Sequence, residues 1–534
     1  MESLAGDLKQ MVRTPLHDSH VAALKRHGEL RRFKAGEIIA DIGDPMADFL
    51  YVIEGGIDVL DPQTREPFLP HGLGPSQFMG DITFLNGGNH GMPFRASEDT
   101  TLLAVPREKV LELMSSIPEM SDIIISVMAA RRRRQIEDQD GAIAIIGADQ
   151  DREMRRIASF ASRNRLPFRT LDLNGPEARA LAKTCGIAPD TPAVIIGRDT
   201  VLDDADPAKL AALFGQDLEI CDNRLVDVLI VGGGPAGVAA AVYAGAEGLS
   251  ALVVEDIAVG GQAGTSSRIE NYMGFPTGIS GGDLVWRGHV QAMKFGTTFA
   301  MPLRVTALKR RDDLFLAMLS DGTEIRAKAV VVATGVQYRR LPIDGLERFE
   351  GVGVYYAATE TEARYCRDGD VYVVGGGNSA GQAAMFLSRS SAHVHLLVRG
   401  TSLAASMSDY LSSRLEKEPK ITIQYRTEVA ALHGASTLEK VTLKGPDGTR
   451  NVLANGLFLM VGAAPNTEWL SGVCDLDDRG FVNTGTAPES PFESSCPGIF
   501  AVGDVRAGSV KRVASAVGEG SVVISKVWEH VNAE

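Results

Sequence analysis

Short apolar runs broken by turn residues open the chain. Between Leu30 and Leu113 they recur as Phe33, Gly36-Glu37-Ile38-Ile39, Phe49-Leu50-Tyr51-Val52-Ile53 and Ile57-Asp58-Val59-Leu60, with Gly- and Pro-rich turns between them. This spacing predicts short antiparallel strands in a small barrel or jelly roll. From Arg107 to Ile136 the period becomes helical. Between Gly141 and Gly215 strand and helix patterns alternate. Residues 142–146, 168–173 and 191–196 read as strands, and residues 149–164 and 176–185 as helices. From Val226 the runs lengthen. Asp227-Val228-Leu229-Ile230-Val231 is a buried-strand pattern, followed by Gly232-Gly233-Gly234-Pro235-Ala236-Gly237, an alanine-rich helix and Leu252-Val253-Val254-Glu255. A second copy runs Val371-Tyr372-Val373-Val374, Gly375-Gly376-Gly377-Asn378-Ser379-Ala380, a helix, and a strand over residues 393–398.

The glycine clusters change the reading from fold to chemistry. Glycines between a buried strand and a helix permit a tight turn and let a pyrophosphate approach the helix N-terminus. Glu255 stands about twenty positions on, where an acid bonds a ribose hydroxyl. Gly232, Gly234, Pro235, Ala236, Gly237 and Glu255 are therefore the first cofactor site, and Gly375, Gly377, Asn378, Ser379 and Ala380 the second. Two such units in one chain imply two dinucleotides that react with each other. The natural pair is FAD and NADPH, with NADH as the alternative, because hydride transfer joins them.

Composition narrows the class further. The 534 residues are 44% hydrophobic and 23% charged, and the net charge is −14. Length alone suggests about three to five domains. An acidic chain repels phosphate backbones, which argues against nucleic-acid binding. The block Arg131-Arg132-Arg133-Arg134 is followed by Glu137 and Asp138 and reads as a solvated helix end. No apolar run reaches the roughly 18 residues of a membrane span, and residues 1–16 carry no secretory pattern. The five cysteines, Cys185, Cys221, Cys366, Cys474 and Cys496, contain no Cys-x-x-Cys pair. An odd, scattered set argues for a reducing compartment, so a cytoplasmic protein is expected. No metal site is expected.

In the order of its signals from Val226 onward, the chain resembles the thioredoxin reductase family. The resemblance rests on Gly260-Gly261-Gln262, Ile269-Glu270-Asn271-Tyr272-Met273-Gly274-Phe275-Pro276, Val332-Ala333-Thr334-Gly335, Val461-Gly462-Ala463-Ala464-Pro465-Asn466-Thr467 and Ile499-Phe500-Ala501-Val502-Gly503-Asp504. It implies FAD contacts from Gly261, Gln262, Asn271, Thr334, Gly335, Gly503 and Asp504, and from Arg512, Val513 and Ala514 near the isoalloxazine. It also implies a homodimer, and rotation of the two nucleotide domains about hinges near residues 335–341 and 462. Arg399 is expected to face the 2′-phosphate of NADPH, where Gly400 replaces a second Arg and Arg414 is a further candidate. The resemblance fails at one place: Ala357 and Glu360 occupy the positions of the family's redox cysteines. No catalytic thiol is then assigned.

The first block resembles a cyclic nucleotide-binding domain, through Gly36-Glu37-Ile38-Ile39, residues 49–55 and Phe78-Met79-Gly80-Asp81-Ile82-Thr83-Phe84-Leu85. Asp81 replaces that family's ribose-binding Glu. The place of its phosphate-binding Arg falls near His90-Gly91, with Arg95 on the following strand. A nucleotide or another small ligand is a possible partner there. The second block resembles a thioredoxin or glutaredoxin fold with Gly147-Ala148-Asp149-Gln150 in place of the redox cysteines. That resemblance implies a cis peptide at Thr191-Pro192, and Cys185 is read as a buried thiol. The expected architecture is therefore multidomain. It comprises an all-β jelly roll with helices (1–137), a thioredoxin-like α/β domain (140–218), and two Rossmann-like α/β domains, FAD-binding (225–339 and 460–534) and NAD(P)H-binding (340–459). The expected activity is hydride transfer from NAD(P)H to FAD, then direct transfer to a quinone, dioxygen, free flavin or ferredoxin. Thioredoxin is expected to be a poor substrate. The alternative is a flavin-based redox sensor with little turnover.

Overall fold

The computed structural model describes residues 14–533, apart from 70, 189, 203, 218–222, 267, 339, 357, 359, 405–406 and 486–489. After helix α1 (Asp18–Lys25), alternating strands form two three-stranded antiparallel sheets. One orders Glu29–Phe33, Thr100–Pro106 and Asp48–Glu54; the other orders Ile38–Ala40, Phe94–Ala96 and Ile57–Val59. Phe49, Tyr51 and Phe78 fill one side of this barrel and Leu50, Val52 and Leu102 the other, as a two-residue period requires. The expected single helix over 107–136 is two, α2 (Arg107–Ser116) and α3 (Pro118–Glu137). Pro118 supplies no backbone N–H and restricts Ile117 to an extended conformation, which breaks the helix there.

The arginine block divides in two. Arg133 and Arg134 pair with Glu137 and Asp138 along the exposed face of α3. Arg131 and Arg132 turn inward, contrary to the solvated reading. Arg131 donates to Gly80 O at 2.9 Å and stacks over Phe78. Arg132, 5% exposed, meets Asp81 at 2.7 Å. Helical geometry explains the division, since residues one apart point about 100° away from each other.

The second block forms a four-stranded sheet in the order Thr200–Val201, Ala193–Ile196, Ile143–Ile146, Phe168–Leu171. Helices α4 (Arg152–Arg163), α5 (Pro176–Thr184) and α6 (Pro207–Leu213) accompany it. Asp151 caps α4 by accepting from Glu153 N and Met154 N. Among the described residues the cis peptide is Met301–Pro302, so the Thr191–Pro192 bond is trans, against expectation. Cys185 is half-buried rather than buried.

The third block holds two larger sheets. In the seven-stranded sheet, Arg224–Val231 lies between Ala251–Val254 and Glu324–Val332, parallel to both. Ile499–Ala501 joins from the C-terminal segment, and Thr298–Ala300 is the edge. Helices α7 (Pro235–Ala246) and α8 (Gly281–Lys294) cover one face. The inserted five-stranded sheet is wholly parallel, with Asp370–Val374 between Gly456–Leu459 and His393–Val398. It carries α9 (Glu360–Tyr365), α10 (Asn378–Leu387) and α11 (Asp409–Lys417). Val336–Tyr338 and Ala463–Pro465 pair as a two-stranded ribbon linking the two sheets. Helix α12 (Val513–Val531) then packs on α7 so closely that a Cβ at Gly520 would lie 2.1 Å from Ala236 O. This explains the alanine-rich composition of α7, since only small side chains permit that approach.

The modules are joined by buried polar contacts. Asn86 donates to Phe299 O at 2.9 Å and accepts from Phe299 N at 3.0 Å, so its amide pairs with the edge strand as a neighbouring strand would. Arg165 of the second block pairs with Asp283 of α8 at 2.5 Å and stacks over Trp286. Arg155, 7% exposed, donates to Gly351 O at 2.9 Å and lies over the Tyr365 ring. No helix among the described residues is long and apolar enough to cross a membrane.

Burial alone would raise the Asp81 pKa. The Arg132 charge and the hydrogen bonds from Thr83 outweigh it and hold the carboxyl below its usual range. A depressed carboxyl adds stability above its unfolded pKa of about 4, and that stability is lost as pH falls through the lower folded value. Asp81→Asn leaves Arg132 buried without its counter-ion. The expected loss is about 3 kcal/mol in the barrel's calorimetric transition at neutral pH, shrinking toward acid. A change below about 0.5 kcal/mol would show the pair to be energetically neutral.

Candidate functional site

The first glycine turn is built by exclusion of side chains. Gly232 ends its strand at φ +106°, where a Cβ would lie 2.4 Å from Ala333 O. Gly237, one turn into α7, would place a Cβ 1.9 Å from Gly232 O. Gly234 is the N-cap and Pro235 the first helical residue, and no side chain caps the helix N-terminus. Its N–H groups and positive dipole end are thus left for an anion. Gly261, at φ +52°, faces this turn; a Cβ there would stand 3.1 Å from Gly234 Cα. Two bare backbones side by side form a cradle that admits a pyrophosphate and that a side chain would fill.

Glu255 closes the adjacent strand. One carboxylate oxygen accepts from Gly233 N at 2.7 Å and the other from Ile257 N at 3.1 Å. Burial pushes its pKa up, while these bonds and the charge of Arg163 pull it down. The late motif sits against the same helix. Gly503, at φ +73°, donates to Glu519 at 2.7 Å, and a Cβ on it would come within 3.0 Å of the Ala236 side chain. Burial pushes the neighbouring Asp504 carboxyl up, opposed by Lys511. Thr334 and Asn466 exchange two hydrogen bonds, 2.9 and 3.1 Å, at the base of the ribbon, next to Gly335. Gln262 donates to Val336 O nearby. Arg512 is the N-cap of α12, with Val513 and Ala514 in its first turn. Asn271 is exposed on its loop. This arrangement of cradle, open helix end and strand-end carboxylate fits a dinucleotide.

The second turn repeats the plan. Gly375, at φ +147°, would place a Cβ 2.4 Å from Met460 O, and Gly377 is the N-cap of α10, which no side chain caps. Asn378 accepts from Ser408 N at 2.9 Å, Ser379 is exposed and Ala380 buried. Arg399 is exposed just past its strand. Arg414 is drawn elsewhere: it pairs with Glu270 of the first sheet's loop at 3.3 Å.

Ala357 lies outside the described residues, as does Cys221. Glu360 opens α9. The four described cysteines are free. Burial pushes the Cys366 thiol up to about 12 and Cys474 up to about 11, and raises Cys185. Such thiols stay protonated at neutral pH and are poor nucleophiles.

In the barrel, Asp81 is already occupied. One oxygen accepts from Thr83 N and Oγ1, the other from Arg132. His90 is buried and kept neutral, since burial lowers its pKa. Arg95 is paired with Asp58 on the strand Phe94–Ala96. A cavity of about 80 Å³ lies between Met92, His90 and Arg134. Arg132 was missed from sequence because its partner is 51 residues away; the one available signal was a carboxylate at a site expected to bind a hydroxyl.

Two families match the chain. The pyridine nucleotide-disulphide oxidoreductase family matches residues 226–520, and the cyclic nucleotide-binding domain family residues 30–116. The chain is 37% identical to a thioredoxin reductase of Streptomyces clavuligerus, over 55% of this chain and 90% of that protein. It is 35% identical to one of Treponema pallidum, over 57% and 97%. Among solved structures it is similar to Lactococcus lactis thioredoxin reductase in the FR conformation. That match has a TM-score of 0.54 and 29% identity, and covers 57% of this chain and 99% of that one. The T. acidophilum thioredoxin reductase gives 0.53, 26%, 57% and 99%.

Gly237→Ala is expected to abolish retention of a flavin, read as loss of the absorbance near 450 nm in the purified chain; wild-type flavin content would show that the turn tolerates a methyl. With Asp81 held by Arg132 and about 80 Å³ of space, cAMP and cGMP are expected to give no binding heat up to about 1 mM. Saturable micromolar binding would show that the pair opens.

Proposed function

Because this chain belongs to the thioredoxin reductase family of pyridine nucleotide-disulphide oxidoreductases and carries a cyclic nucleotide-binding domain ahead of it, we propose that it passes electrons from NADPH through FAD directly to a non-thiol acceptor. It is an FAD-dependent NAD(P)H oxidoreductase. An FAD held at the first site would supply hydride acceptance from NADPH and one- or two-electron delivery onward. The chain's own residues bind and orient. Gly232, Gly234, Gly237 and Gly261 keep the cradle open; the N-terminus of α7 would receive the pyrophosphate, Glu255 would accept from ribose hydroxyls, and Asp504 would hold the ribityl chain. Gly375, Gly377 and the start of α10 do the same for NADPH, whose 2′-phosphate Arg399 would pair.

What supports a non-thiol acceptor is the cysteine inventory. The sequence contains no Cys-x-x-Cys, and the buried thiols at Cys366 and Cys474 have raised pKa values. A dithiol relay needs a thiolate beside a second sulfur; Cys496 neighbours Cys474, but burial raises the Cys474 pKa and both are free thiols away from the glycine turns. The block from 140 to 218 we read as a thioredoxin-like module without redox cysteines, used for contact rather than exchange. A second reading, a flavin-based redox sensor with little turnover, is favoured by α4 and the turn that follows it, which contact both nucleotide-binding units through Arg155 and Arg165.

The test is anaerobic stopped-flow mixing with NADPH and with NADH, followed by steady-state assays against quinone, dioxygen, ferredoxin and thioredoxin with insulin. Rapid flavin bleaching, faster with NADPH, and turnover with a non-thiol acceptor are expected. Robust insulin reduction through thioredoxin would overturn the reading. Turnover below about one per minute with every acceptor, against about 10 per second for typical enzymes, would favour the sensor.

A further inference from the structure

A cavity of about 810 Å³ lies where the barrel, the second block and the FAD-side sheet meet. Arg163 and Asn164, at the C-terminal end of α4, share its walls with Val259 and Gly261 of the loop after Glu255. Direct contacts fix this proximity. Asn164 donates to Ile257 O at 3.1 Å, and Ile257 N donates to Glu255. The segment leaving the second block closes the same end. Met301 N donates to Gln216 O at 3.0 Å, beside Ala300 O, which accepts from Glu255 N at 3.0 Å. Gln216 Oε1 and Asn164 Oδ1 are both buried here without a hydrogen-bond partner. Buried polar atoms are rarely left unpaired, so two beside one cavity point to a polar ligand.

Arg163 supplies the charge. It is half-buried, and no carboxylate among the described residues lies within ion-pairing distance of it. Two neighbouring arginines of the cavity wall are matched, Arg132 by Asp81 and Arg165 by Asp283, while Arg364 and Arg367 line its far side on the inserted unit. The Arg163 charge reaches Glu255 without an ion-pair contact, and in a chain of net charge −14 such a half-buried guanidinium is suited to an anionic ligand. Gly261, one side of the cradle, borders the same space.

We propose that Arg163 is a residue of the FAD site, lent by the second block to the adenosine diphosphate half of the cofactor. This inference rests on the FAD reading above. The second block then has a task that needs no cysteine: it walls the cofactor's adenosine end, and FAD affinity depends on it.

The experiment titrates FAD into the deflavinated full-length chain and follows quenching of flavin fluorescence. Arg163→Ala is expected to raise the FAD dissociation constant about tenfold or more and to flatten its dependence on salt. Arg163→Lys, which keeps the charge, should stay within about threefold of wild type. Arg156→Ala, an exposed arginine on the same helix, should leave it unchanged. In a Glu255→Gln background the effect of Arg163→Ala should persist. An unchanged dissociation constant in Arg163→Ala overturns the proposal. So does an effect that vanishes in the Glu255→Gln background, because Arg163 would then serve only to neutralise that carboxylate. Equal weakening by Arg156→Ala overturns it as well. A wild-type chain that takes up no FAD would instead sink the FAD reading itself.

Discussion

The closeness of Gly232 and Gly237 is the constraint on which the catalytic half depends. A strand must reverse into a helix with less room than one methyl group, 1.9 Å from Gly237's would-be Cβ to the Gly232 carbonyl. Meeting that constraint aims the uncapped end of α7 at the cradle and brings Gly261 and Gly503 against it. The tight seat of α12 on α7 follows from the same demand for small residues, extended along the helix. The second sheet solves the same problem at Gly375, against Met460.

Around this half, the modules are tied by polar groups more than by broad apolar faces. Asn86 completes the edge of the seven-stranded sheet with two hydrogen bonds, each worth about 1 kcal/mol net. That contact also covers a strand edge that would otherwise be open to pairing. Helix α4 and the turn after it span further, with Arg155 of the helix on the inserted unit and Arg165 of the turn on the FAD-side unit. Rotation of one unit relative to the other would have to break one of these contacts. The two-stranded ribbon of Val336–Tyr338 and Ala463–Pro465 is the covalent link between the units, and these contacts add a second tie.

The two N-terminal blocks share a logic. In each, a buried arginine is held by acceptors of its own block. Arg132 satisfies the carboxylate that would meet a sugar hydroxyl. In the second block, Asp149 and the residues beside it supply backbone carbonyls to Arg155 where thiols are expected, with Ala148 O accepting at 3.2 Å. The same arginines also reach beyond their own elements, Arg132 to Arg165 O at 3.0 Å and Arg155 to Gly351 O at 2.9 Å.

Elements were legible in the sequence wherever a local period or turn defined them. The strands around Val228, Val373 and Tyr51, both glycine turns and the spacing to Glu255 all follow from residues within about one supersecondary unit, because strand pleat, helix turn and positive φ are local properties. Pro118 held the helix break in plain view, yet the continuous period over 107–136 masked it. Tertiary structure alone decided which arginines of the 131–134 block face inward, that Arg414 goes to Glu270, and that Asn86 meets a strand 213 residues away. Charge and amide groups carry no period that names their partner. Their roles are set by which carboxylate or carbonyl the packed fold brings within about 3 Å, and that distance exists only once the sheets have assembled.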